Sequence, residues 1–183
     1  MRQLNFILLL TIVLLSACTM GIVQYSACEP IDLHAKIAVI PFANYTETPL
    51  AGERAMSITA AILKSRGFCN VVVYQPSEQG KRYLPGMELG TSEKKLLPWA
   101  RQQGARYAMT GSVNEWGYKV GLDGEPVVGI SVQLLELSSG RIVWTAVGSK
   151  SRGSRVAAST VAQDLLSSLL KGLSFRGKTC HIR

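Results

Sequence analysis

Acidic side chains and histidines are scarce in this sequence. Asp and Glu total 12 against 20 Lys and Arg, and the two histidines are His34 and His181. Acid–base catalysis and metal binding draw mainly on those side chains. Neither histidine has a carboxylate or cysteine at metal-ligand spacing. No phosphate-binding loop, nucleophile elbow or HExxH is present. Glycoside hydrolysis needs two opposed carboxylates, and no two acids fall on an evident common helix or strand face. The expectation is a protein without an enzymatic site, metal or dissociable cofactor. A long apolar run is also missing. The stretch Phe6 to Leu15, broken by Thr11, stops well short of the roughly 20 residues a transmembrane helix needs. There is no internal repeat and no low-complexity segment.

That short run has the length of a signal-peptide core, and Arg2 with the free amino terminus supplies its positive leader. It ends in Leu15-Ser16-Ala17-Cys18, which resembles the lipobox of bacterial lipoproteins. Small residues before the cysteine let the chain enter a peptidase, and the Cys18 thiol is the nucleophile that accepts a diacylglycerol. An ordinary signal peptide with an incidental cysteine is the alternative. Lipoproteins carry diacylglycerol and an N-acyl chain on this cysteine, and two or more chains give a stable anchor where one does not. Thr19 follows, not Asp. The resemblance therefore implies an outer-membrane location, with the globular part in the periplasm.

Removing residues 1–17 from 183 leaves 166, enough for one domain with a real core. Loss of Arg2 takes the net charge from +8 to +7. Export argues against nucleic acid as the partner of this charge and favours anionic lipid headgroups or surface glycans. The positive residues concentrate late, at Lys150, Arg152, Arg155, Lys171, Arg176, Lys178 and Arg183. Cys28, Cys69 and Cys180 remain after Cys18 is lipidated. An exported chain can hold disulfides, but three thiols cannot all pair within it. Chain termini often run close together, so a Cys28–Cys180 bridge is one expectation. The other is three unpaired cysteines, with Cys69 buried at the start of a strand.

The pattern predicts a tether over 18–35, one α/β domain over 36–175 and a tail over 176–183. Ile37-Ala38-Val39-Ile40 reads as a buried strand. Thr48-Pro49 reads as a helix start, with Ala51, Ala55, Ile58 and Ile62 on one face and Gly67 closing it. Asn70 to Tyr74 is the next strand. A second helix over 92–103 is expected to be kinked or split by Pro98. Arg106 to Val120, Val128 to Leu134 and Ile142 to Gly148 read as strands joined by tight turns. Ser154 can cap a final helix with Val156, Thr160, Val161, Leu165, Leu169 and Leu173 on its face. The order β-α-β-α-β-β-β-α predicts a mixed α/β (α+β) sheet of about five strands, parallel early and antiparallel late, with helices packed on it.

Between two of these strands lies Gly121-Leu122-Asp123-Gly124-Glu125-Pro126. Asp-Gly is strong turn chemistry, and spacing alone favours a solvated turn. In a cyclic oligomer, however, Asp123 and Glu125 would repeat around the axis as a dense charged ring, of the kind that selects ions in channels.

Several stretches carry a family likeness. They are Pro41 to Pro49, Ala51 to Ala55, Trp99 to Gln103, Gly111 to Lys119, Gly121 to Pro126 and Ser139 to Trp144. In order, and with the lipobox, they resemble the PelC family of outer-membrane lipoproteins of the Pel exopolysaccharide export system. The resemblance runs from Lys36 to about Leu173. It implies a twelve-subunit ring under the outer membrane, acting with the barrel protein PelB on a partly deacetylated, cationic amino-sugar polymer. It gives Asp123, and secondarily Glu125, the role of pore acids. The opposite face would meet lipid, through Lys150, Arg152 and Arg155. Family members can carry an aromatic residue in that loop, where this chain has Gly153-Ser154-Arg155. Pro98 and the Cys180 tail also depart from the family pattern. A periplasmic lipoprotein that activates a cell-wall synthase is the rival reading, since such activators share a similar fold and anchor. A glycan hydrolase is a second rival.

Overall fold

The computed structural model describes residues 21–26, 29–75, 93–121 and 124–178. The strands are β1 (Gly21–Tyr25), β2 (Ile31–Asp32), β3 (Ile37–Val39), β4 (Ala43–Asn44), β5 (Val71–Val73), β6 (Tyr107–Tyr118), β7 (Pro126–Glu136), β8 (Ile142–Ser151) and β9 (Phe175–Arg176). The helices are α1 (Ala51–Ser65), α2 (Glu93–Gln102) and α3 (Ala158–Leu170). The main sheet has seven strands in the order β1-β8-β7-β6-β3-β5, with β4 also on β6. β3 is parallel to β5 and β6. The β6–β7, β7–β8 and β8–β1 pairs are antiparallel. The mixed α+β sheet expected from the sequence is therefore present, larger than five strands.

The long strands follow their alternation. Tyr107, Met109, Val113, Val128, Ile130, Val132 and Leu134 are buried together with Trp144 and Ala146. α1 and α3 cover this face. α3 buries Val161, Leu165 and Leu169 as predicted, with Leu166 and Leu170 beside them, and Leu173 follows just beyond its end. Thr160 is exposed, and the helix begins after Ala157 with no side-chain cap, so Ser154 does not cap it. The opposite face of the sheet is covered by α2 over β3 and β6, where Ala38, Ala100, Ala108 and Leu137 form a small second core.

Other expectations change. The predicted tether over 18–35 contains two strands. β1 forms an edge of the sheet against β8, and β2 pairs in parallel with β9, which draws the predicted tail into the fold. Phe175 stacks edge-on against Phe68, and the Arg66 guanidinium lies 5.0 Å from the Phe175 ring centroid. Segments this short have no readable period of their own; their pairing comes from distant strands.

The α1 start also differs. The Thr48 hydroxyl donates to the Trp116 carbonyl instead of capping. Leu50 takes a left-handed φ of 60° and the helix starts at Ala51. Close packing follows: a Cβ on Gly52 would stand 2.0 Å from the Phe42 carbonyl oxygen. The buried side of α1 is Ala51, Ala55, Met56, Thr59, Ala60 and Leu63, while Ile58 and Ile62 are half-buried at its margin. Its end matches the sequence. Gly67 at φ 92° and Phe68 donate back to Lys64 and Leu63 in a Schellman closure.

Of the two expectations for α2, kinked or split by Pro98, the split is excluded: it is one helix with Pro98 inside it. Pro98 is exposed, while Leu96 and Ala100 on the other side are buried. That burial holds the helix through the proline.

Cys69 is disulfide-bonded, to a cysteine outside the described residues. The expectations that left Cys69 unpaired are corrected. Cys28 and Cys180 both lie outside the described residues.

Candidate functional site at the outer end of the hairpin

β6 and β7 run to Tyr118 and Pro126, which pair with each other. The Lys119 amide then donates to the Glu125 carbonyl at 2.8 Å. Gly124 takes a left-handed φ of 50°, which suits glycine at a tight reversal. Leu122 and Asp123 lie outside the described residues, so Asp123 keeps only its position in the sequence. Glu125 is described, and it is not a free charge. Its Oε2 is 3.3 Å from Lys119 Nζ, with both side chains about half exposed. The same ammonium lies 3.5 Å from Ser151 Oγ.

The basic residues read as lipid-facing sit at this same end of the sheet. Val127 pairs with Ser151, and the Arg152 amide donates to the Pro126 carbonyl at 3.2 Å. The base of the hairpin tip and the loop after β8 are therefore neighbours at one end of the sheet. Two of the three basic side chains are occupied internally. Lys150 Nζ and Arg152 Nη2 stand 3.6 Å and 2.6 Å from the same Asp164 oxygen on α3. Lys150 is nearly buried, at 16% side-chain exposure. Arg155 is exposed. Asp164 and Lys119 are the further residues of this site, and neither stands out in the sequence. The β6–β7 register brings Lys119 beside Glu125, and the packing of α3 on the sheet brings Asp164 to Lys150 and Arg152.

Cys18 precedes the described residues. Among the described residues no helix is long and apolar enough to cross a membrane, and no group of three or more His, Cys, Asp or Glu could hold a metal ion.

A scan against protein-family models finds no match, and a search of curated proteins finds none either. Solved structures do match. The chain is similar to a PelC dodecamer from Paraburkholderia phytofirmans at 39% identity, covering 86% of this chain and 100% of that one, with a TM-score of 0.72. A single-substitution variant of that PelC dodecamer matches at 38% identity with the same coverage and TM-score. Lipoprotein GNA1162 from Neisseria meningitidis shares the fold at 21% identity, over 75% of this chain and 96% of that chain, with a TM-score of 0.52. The likeness to PelC extends over the whole of that chain, and on that ground the chain described here belongs to the PelC family.

Proposed function

We propose that this protein is an outer-membrane lipoprotein that assembles as a ring of twelve and guides cationic Pel exopolysaccharide to its export barrel, PelB, in biofilm matrix formation. One observation carries this reading: 39% identity to a PelC dodecamer across the full length of that chain. The synthase-activator alternative has no comparable support, since the likeness to GNA1162 bears on fold alone.

Each part of the site then has a task. Diacylglycerol and an N-acyl chain on Cys18 hold each subunit to the periplasmic leaflet, and twelve anchors on one assembly make detachment negligible. Asp123, between β6 and β7 in the sequence, supplies negative charge toward the polymer. Glu125, neutralised by Lys119 at 3.3 Å, contributes less. Charges are screened over about 8 Å at physiological salt, so the acid ring acts only on polymer passing close to it. Arg155 is the basic residue of the loop best placed to meet lipid headgroups, because Lys150 and Arg152 share Asp164.

Polymer export by cells carrying Asp123→Ala tests the reading. Secreted polymer should fall while membrane attachment and ring assembly persist. Unchanged export would remove Asp123 from the role.

A further inference from the structure

Between Val113 and Glu115 the β6–β7 register slips. Val113 faces Ile130, Glu115 faces Gly129, and Asn114 is the extra residue. A bulge of this kind re-aims side chains and is common beside functional sites. Here it breaks the strand's alternation. Val113 and Trp116 are buried in the main core, while Asn114 and Glu115 are both exposed, side by side. Without the bulge, consecutive exposed residues would not occur in mid-strand.

These two residues face two concavities. One, of about 470 Å³, lies between β6 and the segment 45–48, and is lined by Tyr45, Glu47, Asn114, Glu115 and Tyr118 among others. The other, of about 460 Å³, continues over Gly129 to Val147 and Ser149 of β8 and Gln24 of β1. Asn114 and Glu115 belong to both. Gly129 keeps the join open: a Cβ there would stand 3.3 Å from Glu115 Cβ.

The rim carries exposed aromatic rings. Tyr45 is 74% exposed and Tyr118 58%. The Tyr45 backbone is held by β6 and by its own loop. Its amide donates to the Val113 carbonyl at 2.9 Å, Asn44 Oδ1 accepts from the Thr46 amide at 3.0 Å, and Asn44 Nδ2 donates to the Thr48 carbonyl at 2.9 Å. The ring is therefore presented on a fixed backbone. Glu47 and Glu115 are exposed, with no ion pair among the described residues. Lys119, the cation at this rim, is paired with Glu125.

Exposed flat rings, carboxylates without cations and a side-chain amide make a particular combination. Rings offer their faces to the apolar side of a sugar and to cations. Carboxylates bind ammonium groups by charge-assisted hydrogen bonds, and an amide serves hydroxyl or acetamido groups. We infer that the groove through Tyr45, Tyr118, Asn114 and Glu115 is a binding track for several successive residues of a partly deacetylated amino-sugar chain. Tyr45 and Tyr118 stack on sugar rings, and Glu115 and Glu47 take the free amines. This rests on the proposed export function and adds to it a contact surface on the side of the hairpin, in addition to the role proposed for Asp123.

The test uses the full lipidated chain in detergent, titrated calorimetrically with a glucosamine oligomer and with its fully N-acetylated counterpart. Glu115→Gln should weaken the charged oligomer about tenfold, the scale of one lost charge-assisted contact, and leave the acetylated one unchanged. Tyr45→Ala with Tyr118→Ala should weaken both oligomers. Unfolding curves matching the parent exclude misfolding. If the parent binds the charged oligomer and these variants bind it equally well, the groove assignment is overturned while the export reading stands. If the parent binds neither oligomer, the groove assignment is likewise overturned, whereas the export reading falls only if Asp123→Ala leaves export unchanged and the chain forms no ring.

Discussion

Arg152 Nη2 lies 2.6 Å from Asp164 Oδ2, which ties the end of the last long strand to the second turn of the C-terminal helix. Lys150 reaches the same oxygen at 3.6 Å. Two cations and one carboxylate leave a net charge of +1, not the +2 that a lipid-facing patch of free Lys150 and Arg152 would carry.

Under the proposed membrane role, this pairing sets which side chain should respond to anionic lipid. A mature chain with Cys18→Ser, carrying no acyl chains, should bind anionic vesicles weakly. Arg155→Ala should reduce that binding about fivefold, the scale of one basic residue near a charged membrane. Arg152→Ala should reduce it less, because its charge is already met. Asp164→Ala should raise vesicle binding and lower stability by about 1 kcal/mol, a modest loss because the pair is partly exposed. Vesicle co-sedimentation and denaturant melts separate the two effects.

The contact of Gly52 with the Phe42 backbone, between β3 and β4, predicts a sharp steric response. Gly52→Ala should cost roughly 2–3 kcal/mol or block folding, since the new methyl meets a backbone carbonyl that cannot rotate away. Gly153→Ala meets nothing within 4 Å and should stay within about 0.5 kcal/mol of the parent. Equal melting curves for the two variants would contradict this packing.

Pro98 makes the opposite prediction. It sits exposed inside α2, where an amide would otherwise donate to the carbonyl four residues back. Pro98→Ala should therefore stabilise the domain by about 1–3 kcal/mol. A lower midpoint would mean that the helix depends on the proline.

The disulfide at Cys69 is checked by peptide mapping without reductant. Cys69 should be recovered in a linked peptide, and Cys69→Ser should lose about 2–4 kcal/mol. Recovery of Cys69 as a free thiol would contradict the bond.

The parts of the fold that were legible in the sequence are those with a long period. Val128, Ile130, Val132 and Leu134 alternate, and Leu165, Leu169 and Leu173 keep helical spacing, so their burial was readable directly. β1, β2 and β9 were not readable, because strands of five and two residues owe their existence to partners more than a hundred residues away. The Thr48-Pro49 pair misled for a related reason. Its hydroxyl is taken by Trp116, a tertiary contact that overrides a local cap preference. At the site, the Asp-Gly turn and the basic cluster were visible. Their adjacency, the Lys119–Glu125 pair and the bulge at Asn114 depend on strand register, which no short stretch of sequence encodes.

Native mass spectrometry of the lipidated chain released from outer membranes tests the central claim most directly. A closed assembly of twelve copies should be the dominant species, stable on dilution. A chain that remains monomeric at every concentration would contradict it.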